Sequence, residues 1–489
     1  MAILTIETPQ GVRQFSFDAP APLWQLLETS GVQQAHPCGK SGKCAKCAVT
    51  LAGQVSVPNA AEVQAGTRLS CQAFILGNAR VTLGQAGALT QIQTHSQAEI
   101  SLGTPMKGAI GAAVDIGTTT MVLQRYDLAT GQLIGQSAME NPQVTIAADV
   151  MGRIGAAMDG QLDTLQQQVQ SAIAALCQKA GGQIDTMVLT GNTTMLYLLT
   201  GRDPSCLSRL PFEADTLFDT SASLLDANCY LPPCMNAFVG ADITCAVLAS
   251  DLCRHGTALL CDIGTNGEIA LWKEGILYVT STAAGPAFEG AGISCGCSSI
   301  PGAIDRVWCA DRQLRIHTIA DAPALGLCGS GLIDAVAALL ELEIMDETGA
   351  LDEDSVILAP GVALLQKDIR AMQLAKAAIA AGIQTLLEIS GTDCDQIEAL
   401  YIAGGFGSHL NIASAARIGL IPEELTSKVH IIGNAALAGA AQLLLDEKKL
   451  SQVRSIAAAS KHWNLGGNPR FNDNYMNAML FPMEDDWDF

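Results

Sequence analysis

AAVDIGTTT at residues 112–120 and LLCDIGTNG at 259–267 are one unit written twice: an apolar strand, an aspartate, and a glycine turn with threonine behind it. The aspartates, Asp115 and Asp262, stand 147 positions apart (262 minus 115), so each copy has room for a lobe of its own. Around both copies, apolar strands alternate with Ala/Leu-rich helices, the pattern of an α/β protein. Two lobes of similar topology leave a cleft between them, and each aspartate would sit at a strand end facing it. There a carboxylate can hold Mg²⁺ through water, Gly117 and Gly264 permit a tight turn, and Thr118, Thr119, Thr265 and Asn266 can donate to phosphate oxygens. One such unit is weak evidence. Two are stronger, and a third glycine turn, YIAGGFG at 401–407, adds to them, because Gly404, Gly405 and Gly407 let backbone approach an adenosine. An ordinary strand-to-helix turn is the plainer account of that third stretch.

The 489 residues, 49% of them hydrophobic, can fill the cores of two to four domains. A formal charge of -21 excludes the clustered basic surface that nucleic acid or an anionic membrane would need. The opening MAILTIETPQGVRQFSFD lacks a basic segment followed by a long apolar one, and no stretch offers 18 uninterrupted apolar residues, so the cytoplasm is the expected compartment.

Residues 1–90 form a different module. Apolar-rich runs at 2–7 and 12–17 flank Pro9, Gln10 and Gly11, which predicts a β-hairpin, and LWQLLETSG predicts a short helix stopped at Gly31. HPCGKSGKCAKC follows at 36–47, then the strand-like pieces AVTLAG and ARVTLG. In a reducing compartment, clustered thiols more often ligate metal than form disulfides. The spacing is Cys38-x5-Cys44-x2-Cys47, with Cys71 after a further 23 residues. Structural zinc usually takes two close pairs, whereas three ligands on one loop and a remote fourth favour a [2Fe-2S] cluster; zinc remains the alternative. The first gap is one residue longer than in the plant-type arrangement and agrees with the C-x5-C-x2-C of vertebrate- and bacterial-type ferredoxins. Gly39 and Gly42 let backbone wrap inorganic sulfide, and Lys40, Lys43 and Lys46 keep the loop solvated or meet an acidic partner. Cys295, Cys297 and Cys328 admit a second metal or redox site, although packed thiols are the commoner meaning. Residues 91–109 are polar, carry Gly and Pro and lack periodicity, which predicts a linker.

With two phosphate motifs, an adenosine motif and small-residue helices at 239–250 and 433–445, residues 110–489 resemble the actin/Hsp70/sugar-kinase superfamily. The resemblance implies an ATPase domain with lobe one at about 110–250 plus 433–489 and lobe two at about 251–432. Residues 1–90 read as a β-grasp, ferredoxin-like domain. Together with NPQVTIAADVMGRI (141–154), LTGNTTM (189–195), STAAGPAFEGAGISCG (281–296), DIRAMQLAKAAI (368–379) and GNPRFNDNYMNAMLFP (467–482), the whole chain resembles the reductive activators of corrinoid proteins. Larger members of that family carry a separate middle domain, which this chain is expected to lack. The resemblance implies an electron passed from the cluster to an oxidised Co(II) corrinoid protein, with ATP and Mg²⁺ as cofactors and a low-potential donor upstream. It also leaves room for a homodimer. The roles that follow are Cys38, Cys44, Cys47 and Cys71 as cluster ligands, Asp115 and Asp262 at Mg²⁺, and Asp262 also positioning the attacking water. Gly117, Thr118, Thr119, Gly264, Thr265 and Asn266 would meet phosphates, and Gly404 and Gly405 the nucleoside. Lys376 is placed at the nucleotide, against the plainer reading of a solvated helix face. Glu289, in AAGPAFEG, would report on phosphate or touch the partner, or else mark a surface turn. The competing functions are an ATP-dependent donor to another low-potential metalloenzyme, a small-molecule kinase with a redox-sensing cluster, and a nucleotide-gated scaffold with zinc.

Overall fold

The first hairpin forms where the alternation of side chains demands it. β1 (Ala2–Thr8) pairs antiparallel with β2 (Gly11–Phe17), from Ala2 opposite Phe17 to Thr8 opposite Gly11. Ala2, Leu4 and Ile6 are buried at every second position, the period of a half-covered strand. α1 (Leu23–Thr29) turns Leu23, Leu26 and Leu27 inward at helical spacing. β3 (Ala48–Val55), β4 (Arg68–Leu69) and β5 (Phe74–Thr82) complete a sheet of order β2-β1-β5-β3-β4, with β1 and β5 parallel at its centre. This is the β-grasp arrangement, its core built from Leu4, Ile6, Leu23, Leu27, Ile75 and Val81.

The computed structural model describes residues 2–8, 11–30, 32, 47–65, 67–83, 96, 98–405 and 410–482. They fall into two units, Met1–Thr90 with Pro142–Gln161, and Gln91–Asn141 with Leu162–Phe489. Pro142–Gln161, expected within lobe one, therefore groups with the first unit.

The second unit contains the sequence repeat as a structural one. Its first sheet is built from β6 (Ile110–Ile116), β7 (Thr120–Asp127), β8 (Leu133–Glu140), β9 (Thr186–Gly191), β10 (Thr220–Leu224) and β11 (Ala227–Leu231), in the order β10-β11-β9-β6-β7-β8. Its second contains β12 (Thr257–Ile263), β13 (Gly267–Lys273), β14 (Ile276–Thr282), β16 (Ala399–Ala403), β17 (Val429–Gly433) and β18 (Ser460–His462); β15 (Ala303–Ala310) lies in a separate small sheet. The second order is β17-β16-β12-β13-β14-β18. In both sheets three antiparallel strands are followed by two parallel ones, and the repeated aspartate ends the central strand of each.

Among the helices that position the site, α2 (Ala241–Ala249) and α6 (Ala435–Leu445) are the expected small-residue pair. They cross in direct backbone contact: a Cβ on Gly439 would lie 2.0 Å from the Cys245 carbonyl oxygen. α3 (Gly329–Glu341), α4 (Gln366–Ser390) and α5 (Ile412–Arg417) cover the second sheet's side of the unit.

Two expectations about the joins change. The stretch read as a linker is tied to α6: the N–H groups of Gly103 and Met106 donate to the carbonyls of Leu445 and Leu444, and Gln442 Nε2 donates to the Glu99 carbonyl. Its lack of periodicity reflects this work, since it caps the open carbonyls of a helix end. The tail assigned to lobe one also divides. β18 lies parallel to β14, and α7 (Pro469–Asn477) packs on α4, so residues 460–482 belong with the second sheet. Among the described residues, no helix is long and apolar enough to cross a membrane.

Candidate functional site

Both phosphate turns lie where strand pairing forces the chain to reverse, between β6 and β7 and between β12 and β13. Three asparagines fix the first. Asn141 Nδ2 donates to the Gly117 carbonyl (2.9 Å), Asn192 Nδ2 to Thr118 Oγ1 (3.0 Å), and Asn434 Nδ2 to Asp115 Oδ2 (2.9 Å). The second is closed by the Gly264 N–H donating to the Asn266 carbonyl and the Gly285 N–H to the Thr265 carbonyl. Glu289 joins the two, accepting from Thr119 Oγ1 at 3.1 Å and from Thr265 Oγ1 at 2.9 Å. The third glycine turn meets the second phosphate turn at Gly404, whose φ is +100°. A Cβ there would come within 2.6 Å of the Ile263 carbonyl oxygen and 2.7 Å of Asp262 Oδ1, so only glycine fits. Gly405 beside it faces open space.

Five carboxyl groups share this site, and their charges are felt mutually. Burial pushes Asp115 up to about 6, partly offset by the Asn434 amide. Burial, then the charges of Asp115 and Glu289, push Asp262 up to about 7. Asp242, in the first turn of α2, is raised to about 8 by burial and then by Asp115 and Asp262. Glu268, directly across the β12/β13 ladder from Asp262, is raised by burial and by Asp242 and Asp262, while the Asn266 side chain bonds to it. Glu289 is raised by burial, against the pull of the two threonine hydroxyls. Such a cluster stores electrostatic energy that a cation releases. Among the described residues, no three His, Cys, Asp or Glu side chains come close enough to cage a metal directly.

The other half of the chemistry lies in the first unit. Cys47, at the head of β3, and Cys71, just past β4, are buried side by side around Leu69, and the Ser70 N–H donates to the Cys47 carbonyl. The hydrogen bond with Cys71 pulls the Cys47 thiol down to about 6, toward the thiolate that ligates iron. Buried Glu62 shapes the approach to Cys71, its Oε1 accepting from the Leu69 N–H and Arg68 Nε and its Oε2 from the Asn59 N–H. Two of the four proposed ligands thus form a pair suited to a cluster. Cys38 and Cys44 lie outside the described residues, as does Gly407.

Other assignments part from the expectation. Lys376 is on the predicted helix, α4, yet neither solvated nor among the phosphate turns: its Nζ donates to the Leu480 carbonyl and lies 4.8 Å from the centre of the Phe481 ring. Burial lowers it to about 7. Cys328 is buried, donating toward the Ile304 carbonyl, and burial raises Cys295 to about 11, the state of packed thiols. Sequence reasoning passed over Asp242, Glu268 and the three asparagines. Asp242 and Asn434 stand at the starts of the small-residue helices, which is a legible signal; Glu268 becomes visible only with the strand register.

A [2Fe-2S] domain joined to an actin/Hsp70/sugar-kinase-type ATPase is the class of protein that this fold and these residues define. Family profiles match in the same order: "2Fe-2S iron-sulfur cluster binding domain" at residues 7–76, "RACo middle region" at 110–255, and "C-terminal domain of RACo the ASKHA domain" at 256–489. The corrinoid activation enzyme RamQ of Eubacterium limosum is 32% identical over 424 residues, covering 77% of this chain and 71% of that protein. A reductase of the Co(II) methylated amine-specific corrinoid protein from Methanosarcina barkeri is 26% identical over 411 residues, covering 75% and 76%. A solved structure, the reductive activator for corrinoid, iron-sulfur protein, superposes with a TM-score of 0.71 at 25% identity over 99% of both chains. The chain belongs to the family of reductive activators of corrinoid proteins. The middle domain it was expected to lack is not missing as a region: the middle-region profile falls on 110–255, the residues of the first sheet and α2.

Proposed function

We propose that the protein uses ATP to return one electron to the Co(II) of a corrinoid protein, restoring the Co(I) needed for cobalamin-dependent methyl transfer. The observation that carries this is one chain holding both a buried cysteine pair of ligand character and a doubled phosphate turn. When bound by Cys38, Cys44, Cys47 and Cys71, the cluster supplies a one-electron store, refilled by a low-potential donor in the cytoplasm. A plant-type cluster lies near about -400 mV and the cobalt couple lower, so the transfer runs uphill. One electron moved through 100 mV corresponds to roughly 2.3 kcal/mol, a gap that differential binding in nucleotide-linked states can offset. Asp115 and Asp262 hold Mg²⁺ through water, Asp262 also aims the attacking water, and Thr118, Thr119, Thr265 and Asn266 hold the phosphates. Gly404 and Gly405 give the nucleoside its approach. Closure of the two sheets over nucleotide changes the surface that grips the corrinoid protein.

The test is anaerobic reconstitution with Co(II)-state corrinoid proteins, following the visible spectrum of cobalt with and without ATP. Brown protein, ATP-dependent Co(I) formation, and loss of both colour and reduction in Cys71→Ser support the reading. Colourless protein with stoichiometric zinc, or hydrolysis stimulated by a sugar and indifferent to corrinoid protein, overturns it.

A further inference from the structure

Glu289 occupies the hydroxyls that a nucleotide would need. Its two carboxylate oxygens accept from Thr119 Oγ1 and Thr265 Oγ1, one on each phosphate turn and therefore one on each half of the repeat. A threonine hydroxyl has a single hydrogen to donate. While it donates to Glu289 it cannot donate to a phosphate, and a carboxylate beside a polyphosphate is repelled as well.

The turn that carries Glu289 is anchored in the core, where Ala287 and Phe288 are buried, so what a ligand can move is the Glu289 side chain. Gly285, Gly290 and Gly292 all have positive φ, and a single 3₁₀ turn, Pro286–Glu289, spans the interval. Both flanks are pinned. The Gly285 N–H donates to the Thr265 carbonyl, and the Ser294 N–H and Oγ donate to Asp368 Oδ1 at the start of α4 (2.8 and 2.9 Å). The segment between these anchors is held to the first phosphate turn by Glu289 through the Thr119 hydroxyl.

We propose that Glu289 is a positioning residue that bridges the two phosphate turns when no nucleotide is bound, and that nucleotide phosphate displaces its carboxylate from both threonine hydroxyls. This deepens the nucleotide reading above and rests on it. The bridge reads both turns at once, so its release marks phosphate held across the two halves.

The experiment compares wild type, Glu289→Ala and Glu289→Asp by calorimetry with MgADP and a non-hydrolysable MgATP analogue. Glu289→Ala is expected to bind nucleotide on the order of tenfold more tightly, the worth of the charge-assisted hydrogen bonds that no longer compete. Glu289→Asp, too short to span both hydroxyls, should fall between. A residue with a merely structural role would weaken binding when removed, so unchanged or weaker binding by both variants overturns the proposal while leaving the nucleotide site standing. Wild type that binds neither nucleotide removes the site and the bridge together.

Discussion

The two phosphate turns share a sequence and a strand register, and they differ in what faces the aspartate. Opposite Asp115 across the antiparallel ladder is Val122, and its parallel neighbour is Thr190; opposite Asp262 is Glu268, with Ala403 on the parallel side. Asn434 donates to Asp115, while Asp262 feels the charges of Asp115 and Glu289. The two turns share a geometry, and burial together with side chains brought from elsewhere in the chain sets the charge at each. Burial raises both carboxyls; what sets them apart is the amide donor on Asp115 and the acidic neighbours of Asp262, a difference that fits the separate roles proposed above.

Replacing each aspartate by asparagine should therefore give unequal losses, and this is the largest expected effect. Asp262→Asn should lower ATP hydrolysis by about 10²–10⁴-fold with nucleotide binding retained, the worth of a positioned acid–base group. Asp115→Asn should chiefly raise the Mg²⁺ concentration needed for half-maximal rate. Equal losses in kcat with unchanged Mg²⁺ dependence would erase the distinction. A second blow falls on the first turn through its helix. Gly439→Val forces α6 off the Cys245 carbonyl and carries Asn434 away from Asp115, costing about 1–3 kcal/mol in urea unfolding. It should disturb Mg²⁺ dependence as Asp115→Asn does.

The pH dependence of stability separates the turns more finely. Asp115, Asp262 and Asp242 hold protons in the folded state at pH values where the unfolded chain has released them. The unfolded state thus binds fewer protons between about pH 4 and 8, and stability of the ligand-free protein falls as pH rises through that window. The drop should be on the order of a few kcal/mol, reduced by the water that reaches the cleft, and should be read as melting temperature against pH. Asp262→Asn should flatten the slope more than Asp115→Asn, and Mg²⁺ should flatten it in wild type. The smallest effect is that of Asn434→Ala, which removes one amide donor worth about 1 kcal/mol and should bring Asp115 closer to Asp262, seen in carboxyl titration by NMR.

What could be read in the sequence was whatever repeats or alternates locally. The hairpin, each DIGT turn and each small-residue helix lie within a dozen or so residues, and each is where it was expected. What escaped depends on register or on chain brought from far away. Glu268 needs the β12/β13 pairing, and Asn434 reaches Asp115 across 319 positions; Glu289 stands out in its own loop, but its partner Thr119 lies 170 positions away. Lys376 misled because a lysine on a helix before a glycine turn looks free to meet phosphate; nothing nearby in sequence announces that Leu480 and Phe481 will close over it. The segment at 98–109 misled for the opposite reason, since a stretch that caps another helix has no period of its own.

Phe481, 2% exposed, is part of the same hydrophobic core as α3, α4 and β12, and Asn474, Met479 and Leu480 are bound by Thr385, Gln373 and Lys376. Residues 460–482 are also synthesised after every other part of that core. A ribosome-bound chain can complete the first sheet's strands early, but the second sheet must wait with an open flank and an uncovered lysine until residues 460–482 emerge. Translation order thus makes the second half of the repeat the later one to mature.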